Sequence, residues 1–426
     1  MSARGEGGEA LKAGRIGRDA GLGMAGSALG LIGSLASFWV FAIQLGSVQY
    51  GRIGAVYAWT GILSAVTSVA LSQIVPRFLM RDGGAAPSMY VLGIGTSLTC
   101  YALLLGLAPF SLSGVGYGFV AAAGVIEIVL QGLLTVRTAD LLATSGYHTV
   151  VAIRSIQHLV RLLAIGVVWL TGSASLGTFA LVQLVGAMSA LVATVALSPL
   201  PRVGRMPVKL PQREIVYDYL RSAALFGLLA LQNDYDKAVL VQFGFLGDLG
   251  YYAAAYKLVG FIELPQGQLI AASYRPMLQI ACDNPRLLPR EIAKILRVLV
   301  AYGFLAEIGV IACYPLAASL LGEYGPVLKP LLVALVPVIV LRGVGAACSN
   351  GLIGLGHIGL SFWATALATA VSIALYYALI PVYSWRGAVA GTLGGEVVAA
   401  AFLALALRRK VREVAPRPLG AGAPTA

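Results

Sequence analysis

Charge is scarce in this 426-residue chain: Asp, Glu, Lys and Arg make up 11% of it, where a soluble globular domain carries about 25%. No stretch holds the missing charges, which excludes a water-soluble enzyme of this size. Cysteine occurs four times (Cys100, Cys282, Cys313, Cys348), far apart and in or beside apolar runs. That spacing suits neither a disulfide frame nor a metal site, and the four read as small packing residues. Three histidines are too few for a ligand cluster, so no metal and no cofactor are expected. The phosphate-cradling pattern G-x-x-x-x-G-K-[ST] is absent, and with it an ATP-driven pump within the chain; H-E-x-x-H, C-x-x-C and G-x-S-x-G are absent as well. The polar start, MSARGEGGEALKAGRIGRDAG, lacks the apolar region of a cleavable signal peptide, so none is expected.

What is abundant is apolar surface and glycine. The hydrophobic fraction is 58% and glycine accounts for 52 residues, with a mean hydropathy of +0.85. Glycine at that level suits membrane helices packed backbone to backbone. Apolar windows of membrane length fall near 24–46, 51–75, 88–109, 114–136, 149–170 and 174–198, then near 222–244, 250–273, 295–314, 328–350, 359–381 and 386–407. The expected fold is therefore an all-α integral membrane protein with about twelve transmembrane helices in two six-helix bundles. Its expected parts are an N-terminal tail (1–21), a first bundle (22–198), a basic linker (199–221), a second bundle (222–407) and a C-terminal tail (408–426). Twelve spans of about 20 residues leave no room for a folded extramembrane domain.

Lys and Arg set the expected orientation. With the N-terminus inside, tails and inner loops hold 21 of the 30 basic residues and the outer loops hold three: Arg52, Lys329 and Arg386. This bias places both termini, the linker and both tails in the cytoplasm. It also assigns the basic balance to topology and anionic lipid headgroups, with no nucleic-acid partner. An internal repeat is visible as well. An offset of 199 residues superposes Gly51 on Gly250, Ala55 on Ala254 and Tyr57 on Tyr256, and brings Pro76-Arg77 opposite Arg275-Pro276. Six spans separate the copies, so the two halves are related by a parallel repeat, which puts a substrate cavity on the axis between them.

A charge at the bilayer centre costs roughly 2.5–3.5 kcal/mol on insertion scales, so each one needs a partner, a wet cavity or a function. Six basic residues (Arg154, Arg161, Lys237, Lys257, Arg275, Arg342) and six acidic ones (Glu127, Asp234, Asp236, Glu263, Glu307, Glu396) fall inside the spans. In the fifth span Arg154, Gln157, His158 and Arg161 share one helical face. Two guanidiniums and an imidazole suit an anion, and Arg grips phosphate oxygens bidentately; the competing reading has them snorkelling to headgroups. In the seventh span Asp234 and Lys237 stand at i, i+3 and can neutralise each other, whereas Asp236 points elsewhere and is expected to pair with Lys257 of the next helix. Glu127 with Gln131, Glu263, Arg342 with Asn350, and Glu396 lie mid-span, and together they point to a hydrophilic lumen.

Four segments carry a family likeness: LGSVQYGRIGAVYAW (45–59), LGDLGYYAAAY (246–256), LLGEYGPV (320–327) and LIPVYSWRGAVAGTLGGE (379–396). With them the chain resembles the multidrug/oligosaccharidyl-lipid/polysaccharide exporter superfamily over its whole length, above all its bacterial flippases for O-antigen and exopolysaccharide repeat units. Ser384 departs from the glycine common at that point. The resemblance implies a two-bundle, nonenzymatic transporter of the bacterial cytoplasmic membrane that works by alternating access. The implied substrate is an undecaprenyl-pyrophosphate-linked oligosaccharide for cell-surface polysaccharide, and the implied partners are membrane lipids, a coupling proton or sodium ion, and other polysaccharide-assembly proteins. On this reading Arg154, His158, Arg161, Arg275, Arg342 and Lys257 bind substrate, while Glu127, Asp234 or Glu263 couples to the ion gradient. Two rivals stand beside it. A drug/cation antiporter of the same superfamily wants an acidic, aromatic lumen, and a membrane enzyme of polysaccharide assembly wants a large outer loop.

Overall fold

The computed structural model describes the backbone of residues 3–81, 86–112, 114–144, 147–197, 211–283 and 287–414. Side chains are described from residue 26 onward within these ranges, except at 27, 76, 77, 79–81, 86, 143, 144, 275, 282, 283, 316–321, 358 and 414. The side chains of Arg275 and Arg77, most of the linker and the end of the C-terminal tail thus lie outside the described residues. What is described is helical, with no strand among those residues. The first helical stretch, Ala3–Ser64, is interrupted at Gly46 (φ 73°, ψ 170°), a conformation open to glycine and strained for other residues. This break separates α1 (3–45) from α2 (47–81). The helices that follow are α3 (Ala86–Ser111), α4 (117–144), α5 (Tyr147–Thr171), α6 (Leu176–Leu197), α7 (Arg213–Gln242), α8 (Leu246–Asp283), α9 (Leu288–Leu321), α10 (Gly325–Gly354), α11 (Ile358–Tyr383) and α12 (Trp385–Val414).

Among the described residues nine stretches are long and apolar enough to cross a membrane, the first of them running through the Gly46 break. α7 and α8 are not in that set. They carry the charged pairs Asp234/Lys237 and Lys257/Glu263, which lower their hydropathy below that of their neighbours. Long apolar helices in this number are the architecture of a multi-pass membrane protein, because only helices and closed barrels satisfy every backbone group in lipid.

The chain divides into two compact units. The first comprises Met1–Ala230 with Gly244–Gly250, and the second Leu231–Phe243 with Tyr251–Ala426. The division falls inside α7. In the first unit Leu71, Val75, Met89, Val136 and Tyr219 form a buried core, and a second cluster joins Leu134, Leu141 and Ile153 to Ala190. Gly51 and Gly250, the positions the 199-residue offset superposes, pack against opposing backbones within this unit. A β-carbon on Gly51 would strike the Leu246 carbonyl, and one on Gly250 would strike the Ser47 carbonyl. The second unit packs Met277, Leu288, Leu352 and Leu407. Pro265 loosens the backbone of α8, since it lacks a donor and crowds the preceding turn. The Tyr302 hydroxyl donates to the Ile262 carbonyl of that turn at 2.5 Å, tying α9 to the α8 backbone beside the proline.

Candidate functional site

In the first unit, two π-helical turns interrupt neighbouring helices: Ala65–Val69 in α2 and Val125–Leu130 in α4. Each widens the helix by a residue and re-aims the side chains around it, a deformation frequent at functional sites. A cavity of about 430 Å³ with mixed polar and apolar walls lies between these helices and α5. Ser68, Ser72, Glu127, Gln131, Thr138 and Arg154 are among its lining residues. Glu127 sits in the α4 π-turn and accepts the Tyr57 hydroxyl at 3.0 Å. Arg154 reaches only amide oxygens, Gln131 Oε1 and Gln157 Oε1, each at 3.4 Å. Seven residues on, the half-buried Arg161 keeps its Nε without a hydrogen-bond partner among the described residues. No ion pair of Arg154 or Arg161 forms among those residues. Between them His158 packs against Gly30, where a β-carbon would come within 2.8 Å of Nε2. The fifth-span strip is therefore a row of cationic or cationisable groups in the protein interior, beside one carboxylate at the cavity wall.

Elsewhere the buried cations are paired: in the first unit Arg137 meets Asp140 at 2.6 Å, and in the second unit two cations are paired with four carboxylates. Arg342 of α10 donates to Glu396 of α12 at 2.9 Å, to Asn233 of α7 at 2.7 Å and to Glu263 of α8 at 3.5 Å. One turn along α7, the Lys237 ammonium donates to Asp234 Oδ1 at 2.8 Å, to Asp236 Oδ1 at 3.3 Å and to the Asn233 carbonyl at 2.9 Å. It also lies 4.2 Å from the Tyr256 ring centre, a cation–π contact. Asp236, fully buried, accepts the Tyr252 hydroxyl at 2.5 Å and lies 3.5 Å from Thr392 Oγ1. Each cation is thus held between two carboxylates.

These contacts sort the residues singled out from the sequence. The Asp234–Lys237 pair forms as its spacing implies. The Asp236–Lys257 pair does not, because Tyr252 and Tyr256 turn their face of α8 to Asp236 while Lys257, about 100° further round, is exposed. Arg342, read as a phosphate ligand, is enclosed by carboxylates. Arg154, Glu127 and Gln131 come together at one cavity, and Arg275 lies outside the described side chains. Sequence reasoning missed Tyr57, Asn233, Tyr252 and the serines at 64, 68 and 72. The serines had a signal, since spacings of four place them on one helical face. Among the described residues no group of three His, Cys, Asp or Glu side chains is arranged to hold a metal ion.

Neither a family model nor a curated protein sequence matches the chain. Solved structures do. The inward-facing conformation of a multidrug resistance MATE family transporter of the MOP superfamily aligns with TM-score 0.72 at 15% identity, over 90% of this chain and 96% of that one. Lipid II flippase MurJ, in an inward closed conformation, aligns with TM-score 0.70 at 11% identity, over 93% of this chain and 89% of that one. The fold is that of the MOP superfamily transporters. A further member, a transporter from Pyrococcus furiosus described by the reverse polarity of its binding pocket, aligns with TM-score 0.52 at 15% identity, over 91% of this chain and 94% of that one. At these identities the likeness establishes the fold.

Proposed function

We propose that the protein is a flippase that carries an oligosaccharide linked to a polyprenyl pyrophosphate across the bacterial cytoplasmic membrane by alternating access, for cell-surface polysaccharide. The observation that carries this reading is Arg154: a guanidinium lining the cavity, with long amide contacts and no ion pair among the described residues. Desolvating a cation without a counter-charge is costly, and an incoming phosphate would supply the missing partner bidentately. Arg161 and His158 extend the strip along α5. The fold shared with lipid II flippase MurJ supports the same class of cargo. For ion coupling we put Glu263 first: its side chain is 33% exposed and its contact with Arg342 is the long one, at 3.5 Å. The twelve helices would then all cross the membrane, with both termini in the cytoplasm.

A drug/cation antiporter is the second reading, favoured by the second unit, where two cations face four carboxylates, and by the MATE likeness. Reconstitution separates the two. Proteoliposomes holding a fluorescent polyprenyl-pyrophosphate-linked disaccharide are scored for its transfer between leaflets. Flipping by the native protein that Arg154→Gln abolishes supports the first reading. Exchange of an organic cation for protons without lipid transfer overturns it.

A further inference from the structure

The walls of the first-unit cavity have a hydrogen-bonding polarity that a phosphate site does not need. A hydroxyl side chain has one proton to donate and two lone pairs to accept with. Ser72 Oγ gives its proton to the Val69 carbonyl at 2.7 Å, Thr135 Oγ1 to the Gln131 carbonyl at 2.8 Å and Thr138 Oγ1 to the Thr135 carbonyl at 3.1 Å. Their donors are used inside the helices, so what they offer the cavity is lone pairs. Ser68 Oγ lies buried at the wall with no hydrogen-bond partner. Glu127, an acceptor when ionised, shares the wall. Among these acceptors the donors left to the cavity are the Arg154 fork, the Gln131 amide and the Ser68 hydroxyl, so the wall both accepts and donates. Ser68 belongs to one π-turn and Ser72 lies one helical turn beyond it, while Glu127 belongs to the other and Gln131 adjoins it.

A ligand complementary to such a site is dense in hydroxyl donors and carries one anionic group. Inorganic phosphate brings fewer hydroxyl protons to the wall than a sugar ring does, and an organic cation would meet the guanidinium. We infer that the first-unit cavity is a glycosyl subsite, which takes a sugar ring by its hydroxyl protons and an acidic group attached to that ring by Arg154. The inference rests on the flippase reading for its cargo, and it adds that the ring itself, beyond the phosphate, is recognised here. The acidic group is either an ester phosphate or a ring carboxylate, and both present the same paired oxygens to the fork.

The test uses the full-length protein in nanodiscs and four probes: glucose 1-phosphate, glucuronic acid, glucose and inorganic phosphate, with binding read by isothermal titration calorimetry. The native protein is expected to bind glucose 1-phosphate or glucuronic acid at least tenfold more tightly than glucose or inorganic phosphate, and the acid preferred tells which source the anion comes from. The double variant Ser68→Ala/Ser72→Ala should weaken the sugar acid about tenfold and leave inorganic phosphate unchanged, whereas Arg154→Gln should weaken both. Alanine is the better helix former, so loss of fold is not the expected failure; unchanged melting confirms that. Sugar-acid binding unaffected by the double variant, or inorganic phosphate bound as tightly as glucose 1-phosphate by the native protein, overturns the inference. Sugar-acid selectivity without lipid transfer in proteoliposomes would leave this subsite standing and sink the flippase reading instead.

Discussion

Arg154 and Arg342 are the same side chain in opposite circumstances, and their substitution should differ accordingly. Arg342 neutralises Glu396, whose side chain is only 8% exposed. Breaking a buried pair from one side costs about 3–5 kcal/mol. Arg342→Met is therefore expected to lower the melting temperature and the membrane yield, with partial recovery on adding Glu396→Gln; an unchanged melting curve would contradict the pairing. Arg154→Gln removes a charge that forms no ion pair among the described residues, so thermal stability should hold while transport is lost. Ser384 gives a third case at this scale. It stands at φ 50°, ψ −127°, between α11 and α12, in a region that favours glycine. Ser384→Gly should relieve about 1 kcal/mol of strain and so raise the melting temperature, and a fall would show that the serine's own contacts outweigh that strain. The residue types at the candidate site were legible in the sequence, since a charge in an apolar span is conspicuous by its cost. Their partners were not. Asn233 meets Arg342 across 109 residues, and Tyr252 displaces Lys257 from Asp236 only because of the rotation at which α8 packs. Serines on a helix carry no such cost, so the 64, 68, 72 ladder passed without notice.

At the scale of elements, the apolar windows anticipated the helices closely, because a span long enough for a bilayer declares itself by composition. The π-turns had no such signature in the sequence. α7 is the helix least suited to insertion alone, with Asp234, Asp236 and Lys237 in one stretch. Each such charge costs roughly 2.5–3.5 kcal/mol at a helix centre. An isolated α7 in a glycosylation-reporter fusion should insert poorly, and Asp236→Leu/Lys237→Leu should restore insertion; efficient insertion of the native segment would contradict the need for its neighbours. The close approach at Gly51 makes a contrasting prediction. Gly51→Val should abolish folded protein in the membrane, measured by monodisperse elution after extraction, whereas Gly95→Ala, with nothing within 4 Å of the added carbon, should be tolerated.

For the whole molecule, hydropathy and the basic-residue bias made the membrane class legible, and the fold shared with MOP superfamily transporters agrees with it. The cargo is a different matter, since sugars are read by scattered polar contacts that leave no motif. The feature the flippase account depends on is the contrast between Arg154, which forms no ion pair among the described residues, and Arg342 and Lys237, each held between two carboxylates. The most direct measurement is leaflet-resolved accumulation of lipid-linked oligosaccharide in cells depleted of the protein. The account predicts build-up on the cytoplasmic side, reversed by the native gene and not by Arg154→Gln. Unchanged lipid intermediates, in cells newly sensitive to cationic compounds, would contradict it and assign the molecule to drug/cation antiport.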